Sequence, residues 1–218
     1  MLGRLVLVVL ALGGTTALLH AGTVDVSVTD AKGLPAEDAV VVAVPLAGPP
    51  AQSGAPATAV VDQIDKEFIP LVSVVRTMTL VSFPNKDNIK HHVYSFSAAK
   101  RFELPLYKRK PSQPVLFDLA GLVVLGCNIH DWMLGYIYVV DSPWFAKTGS
   151  DGKARLSDLP DGDYDIAVYH PRAKDPAEPV RQRIAIPASP SPPLRYQLEL
   201  RKPVPRPHVP KPGDAGYE

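Results

Sequence analysis

The chain has 218 residues, with 23 Lys and Arg against 22 Asp and Glu, and 46% of it is hydrophobic. That length admits one large domain or two small ones. The near-zero balance, with no lysine or arginine stripe, argues against nucleic acid and against a basic membrane-binding face.

Residues 1–21 read as a secretory signal. Arg4 precedes the apolar run Leu5 to Leu12, Gly13 to Thr16 interrupt it, and Leu19-His20-Ala21 offers a small residue for cleavage. The run is short for a bilayer span, an uncleaved anchor being the alternative. Cleavage removes only Arg4 among the charged residues, leaving 22 of each sign in a periplasmic or secreted chain with no stable membrane insertion. In an oxidising compartment the single cysteine, Cys127, has no partner in its own chain. It is therefore buried, paired with another chain, or occupied.

Thr23 to Thr29 alternates Val24, Val26 and Val28 with polar residues, the mark of a half-buried strand. A turn at Asp30 to Gly33 leads to the more buried strand Ala39 to Val44. Residues 47–59 read as a Pro/Ala/Gly linker. Phe68 to Val75 and Thr77 to Phe83 read as strands, and the polar turn 84–88 precedes another at His91 to Phe96. Ala98 to Lys110 reads as a short helix or a loop. Further β-rich runs cover Val115 to Asp118, Val123 to Leu125 and Gly135 to Val140. The last part holds turns at Ser150 to Lys153 and Leu159 to Gly162, with strands at Ala154 to Leu156, around Tyr164 to Val168, at Arg181 to Ile186 and at Leu194 to Leu200. Residues 201–218 form a proline-rich tail that reads as disordered.

The fold class is therefore all-β. Residues 22–46 and 148–200 each hold too few strands to bury a sheet face alone. Together, with Asp151-Gly152 and Leu159-Pro160-Asp161-Gly162-Asp163-Tyr164, they resemble a small transthyretin-like sandwich of the carboxypeptidase-regulatory kind. The region 60–141 would then be inserted into that sandwich.

The segment Gly126-Cys127-Asn128-Ile129-His130-Asp131-Trp132-Met133 carries a thiol, an imidazole and a thioether at Cys-x2-His-x2-Met spacing, and His91-His92 lies 36 residues upstream of the cysteine. Two imidazoles, one thiolate and a weak thioether suit both Cu(I) and Cu(II). Structural zinc takes four strong donors, and Met133 is a poor one. Phe83-Pro84-Asn85-Lys86-Asp87 through His91-His92-Val93, followed by Cys127, His130 and Met133, is similar to the cupredoxin (type 1 blue copper) family, with an amicyanin-like ligand loop. The whole arrangement resembles exported methylamine-utilisation-like proteins.

That resemblance implies a Greek-key cupredoxin-like sandwich over residues 60–141 and one copper ion held by His91, Cys127, His130 and Met133. It also implies a redox partner protein. Asn85 and His92 would support the ligands from behind. The family has asparagine where this chain has His92, and neighbouring strand side chains point to opposite faces, so only one of His91 and His92 can be an ordinary ligand. Asp131 and Trp132, inside the ligand loop, are candidates for partner docking. The expected function is one-electron transfer without catalysis; copper storage or delivery, and a metal-free adaptor sandwich, are the alternatives. His170 reads as a strand-end residue, His208 as a tail residue, and Asp161, Asp163 and Asp165 as turn chemistry. No phosphate loop, nucleophile elbow or His-Glu-x-x-His motif is present.

Overall fold

The computed structural model describes residues 22–48, 56–109, 113–186 and 193–203. The signal, most of the 47–59 linker and most of the tail, with His20 and His208, lie outside these residues. The described residues form seventeen strands and no helix, so no helix is long and apolar enough to cross a membrane.

The first strand, β1 (Gly22–Asp30), buries Val24, Val26 and Val28 as the alternation requires. It pairs antiparallel with β14 (Lys153–Leu159) and parallel with β17 (Leu194–Leu198). Facing it is a four-stranded sheet in the order β13 (Phe145–Lys147), β2 (Val40–Pro45), β15 (Gly162–Tyr169), β16 (Val180–Ile186). Val44 pairs with Asp165 and Val40 with Tyr169, so residues 40–45 and 162–169 share one sheet. The first core lies between the two sheets, built from the β1 valines with Val41, Ala43, Leu156 and Ile166.

Between β2 and β13 the chain builds the rest. β3 (Thr58–Val60), β7 (Thr79–Ser82) and β10 (Val115–Phe117) make one sheet. β6 (Val72–Arg76), β12 (Leu134–Val140), β11 (Gly121–Cys127), β8 (His91–Ser97) and β9 (Lys100–Tyr107) make another, in that spatial order. A short hairpin joins β4 (Asp62–Ile64) to β5 (Glu67–Ile69). The core enclosed here contains Phe68, Phe83, Val93, Phe117, Leu125, Cys127, Met133 and Ile137.

A third cluster, Val40, Val42, Val72, Tyr138 and Val140, joins the two halves. It explains why Ala39 to Val44 does not alternate. Val41 and Ala43 enter one core while Val40 and Val42 enter the cluster on the other face, and a strand covered on both faces reads as a continuous apolar run.

Three details differ from the sequence reading. Ala98 to Lys110 is neither helix nor loop: Lys100 to Tyr107 is a strand that turns back tightly on β8, with Ser97 opposite Lys100. It is an edge strand, where charged residues and Pro105 are tolerated because one row of backbone groups has no strand to pair with. Phe68 to Val75 is two strands, broken at Pro70-Leu71, and each half pairs with a different partner. Thr58 and Ala59, at the end of the stretch read as linker, are already part of β3 and pair with β7.

Candidate metal centre

His91 opens β8, whose side chains alternate: His91, Val93 and Ser95 point inward, while His92, Tyr94 and Phe96 point outward. Cys127 closes β11 and pairs with Val93, which sets it beside His91 in the adjacent strand. The chain then leaves the sheet for six residues and returns at Leu134, which pairs with Gly126. This loop is short, and the Met133 amide donates to the His130 carbonyl at 2.9 Å, so both ends of the turn are tied. His130 is thereby folded back over the sulfur.

The result is a triangle. Cys127 Sγ lies 3.8 Å from His91 Nδ1 and 3.8 Å from His130 Nδ1, and all three donor atoms fall within 4.8 Å of one another. Three donors spread trigonally around a shared ion at about 2.0–2.3 Å stand roughly 3.5–4 Å apart. The spacing and the soft, mixed donor set fit copper. Met133, 2% exposed, packs in the same core cluster as Cys127.

His91 has no exposed surface, and its Nε2 meets Asp87 Oδ2 at 2.7 Å. With Nε2–H donated to that carboxylate, Nδ1 keeps its lone pair toward the sulfur. Asp87 is itself held by the amides of Asp65 and Lys66, at 2.7 and 2.9 Å, in the β4–β5 turn. Asn85, 4% exposed, accepts the Asp87 amide at 2.9 Å and donates to the carbonyls of Ile89 and Tyr107. Asn85 therefore reaches the cluster through Asp87. Behind it, Tyr107 donates to the Phe83 carbonyl at 2.6 Å and accepts from Gln63. Burial pushes the Tyr107 hydroxyl up to about 12.

The electrostatics match the geometry. Burial would raise the Cys127 pKa, but hydrogen bonds from His91 and from the His92, Ile129 and His130 amides outweigh it and hold the thiol below its ordinary value. Burial pulls the His91 pKa down, yet contacts with Cys127 and Asp87 leave it raised. For His130, burial first and then the charges of His91 and Lys66 lower it, so its ring is neutral at neutral pH.

The remaining candidates lie around this triangle. His92 points out of the core, 3.0 Å from Glu103 and edge-on to Tyr94, with ring centroids 5.8 Å apart. Trp132 is half-buried, edge-on to the His130 ring at 5.2 Å. Asp131 is exposed, as are Ile129 and Leu134 at 45% and 40%. His170 is buried between the Glu37 carbonyl and the Arg172 amide, both at 3.0 Å, apart from the cluster. The sequence reading gave no role to Asp87, Gln63 or Tyr107. The Asn-x-Asp-x3-His spacing was the visible signal for the first, while the other two are joined to the site only through space.

No family model matches the chain, and no curated protein matches it. Solved structures do. It is similar to the copper-containing nitrite reductase of Thermus scotoductus SA-01, at 25% identity and a TM-score of 0.35, over 43% of this chain and 25% of that one. The chain thus spans a quarter of that enzyme's length. It is similar to a purple cupredoxin from Nitrosopumilus maritimus, at 20% identity and a TM-score of 0.33, over 38% of this chain and 98% of that one. A reduced amicyanin mutant is similar at 20% identity and a TM-score of 0.35, over 47% of this chain and 99% of that one.

Proposed function

We propose that this chain holds one copper ion between His91, Cys127 and His130, with Met133 as a weaker fourth donor, and carries single electrons to or from a partner protein in the periplasm. The observation that carries this reading is the triangle of one sulfur and two imidazole nitrogens, with both nitrogens 3.8 Å from the sulfur. Copper bound there would supply reversible Cu(I)/Cu(II) chemistry.

The chain's own groups do the rest. The donors on Cys127 favour its thiolate, the form that binds metal. Asp87 fixes the His91 ring and its tautomer. Cys127 and His91 are shielded from water, at 2% and 0% exposure, while His130 keeps 9% of its surface open. His130 is then the edge through which a partner couples, with Asp131 and Trp132 beside it in the docking area. Four donors leave no open position for a substrate, which favours a carrier over a catalyst.

The test is copper reconstitution of the wild type and of Cys127→Ser, followed by optical spectroscopy. A strong thiolate-to-Cu(II) band in the wild type, lost in the variant and bleached reversibly by reductant, supports the proposal. A colourless wild type that yields Cu(I) to a chelator points instead to storage or delivery. Failure to bind copper at all sinks both.

A further inference from the structure

Away from the metal centre, a cleft of about 570 Å³ opens between the two halves of the molecule. One wall is the outer face of β2, with Val42 and Val44; the other is formed by Leu122 and Val140 of β11 and β12. The space lies within the range of small-ligand sites, which favour such junctions, and it is too small for a folded partner. Val44 and Leu46 reach 38% and 42% exposure there, so apolar surface faces an open space.

Two donors converge on this space. Arg181 lies across the sheet from Val42, through Ala167. Its neighbour Arg183 is paired with Asp165 at 3.1 Å, whereas no carboxylate lies within ion-pair distance of Arg181 among the described residues. Tyr169 lines the same cleft. Arg181 is paired with Ala167, two residues before Tyr169 on the same face of β15, so Arg181 and Tyr169 lie diagonally across the sheet. Burial raises the Tyr169 hydroxyl pKa, the Arg181 charge opposes that shift, and the Glu178 carboxylate adds to it. Asp141 is the one acidic residue in the lining.

We propose that this cleft binds a small amphipathic carboxylate, its hydrocarbon body against Val44, Leu46 and Leu122 and its head taken by Arg181 and the Tyr169 hydroxyl. Apolar walls recognise the body by burial, and a guanidinium matches a carboxylate with two parallel hydrogen bonds. The site shares no residue with the metal cluster, so it stands whether or not copper binds.

The test is calorimetric titration of the full chain with decanoate, decanol and decylammonium, each kept below its aggregation concentration. Decanoate should bind at least tenfold more tightly than decanol. Arg181→Gln should erase that difference while leaving the denaturation midpoint unchanged, and Arg181→Lys should restore part of it. Arg183→Gln should have no effect. Asp141→Asn should tighten decanoate binding by removing a like charge. Equal affinity for decanoate and decanol, tighter binding of decylammonium, an unaffected Arg181→Gln, or no binding of any probe overturns the proposal. The last result would mean that the cleft is closed to ligands in solution.

Discussion

Asp87 accepts two backbone amides and holds the His91 ring with the same carboxylate. Replacing it with alanine removes what orients the His91 ring and leaves two amides without their acceptor. Partners of this kind are typically worth about 10–100-fold in metal affinity, so Asp87→Ala should weaken Cu(I) binding by that factor in a chelator competition. Asp87→Asn, which keeps an acceptor oxygen, should lose less. His170 gives a separate prediction in pH. Burial lowers its pKa first, the nearby Arg172 charge adds to this, and the Glu37 carbonyl and Asp38 oppose it without cancelling it. Above its unfolded value near ~6.5, both states keep the ring neutral. As pH falls past that point, the unfolded chain takes up a proton that the folded chain resists, so stability declines until the folded pKa is reached. Urea midpoints should therefore fall between pH 7.5 and 5.5 by more in the wild type than in His170→Gln. Equal slopes would refute this assignment.

Strands with a clean face were legible. Val24, Val26 and Val28, and Tyr164, Ile166 and Val168, alternate with polar neighbours because each lies over one core. β9 was not legible: Lys100, Arg101, Glu103 and Pro105 are read locally as loop residues, but an edge position and a tight turn from β8 make them a strand. Alternation allowed only one of His91 and His92 on the inner face of β8; the family resemblance named His91, and His91 is the one buried. The triangle itself was legible because two of its three donors, Cys127 and His130, lie three residues apart, with Met133 three further on. The deeper part of its hydrogen-bonded support was not, because Gln63 and Tyr107 meet only after the sheets close. Turn chemistry gives the test at this scale. Gly152 has φ of +70°, and a Cβ there would come within 2.5 Å of the Val28 carbonyl oxygen, which belongs to rigid backbone. Gly152→Ala should cost about 2–4 kcal/mol, combining a positive φ with a clash, read as a lower denaturant midpoint at unchanged slope.

Across the whole molecule, Val40, Val42, Val72, Tyr138 and Val140 are packed between the two halves, so neither half keeps its covering when the other unfolds. The two tryptophans report on them separately. Trp132 stands beside His130, and Trp144 packs edge-on to Tyr164 at 5.7 Å in the other half. Single-tryptophan variants, Trp132→Phe and Trp144→Phe, should show the same denaturant midpoint, and copper should raise both together by mass action. Two separate midpoints would show that the shared cluster does not couple the halves. The connectivity has one more consequence. Val26 is paired with Leu194, and Asp30 with Leu198, in a parallel ladder, so among the described residues the first strand waits for the last. Contacts of such long sequence separation close slowly. A chain arriving from its N-terminus, at a ribosome or through a membrane pore, therefore holds Val24, Val26 and Val28 short of their final sheet until nearly all of it has been delivered. During that interval these valines remain apolar surface without their full cover.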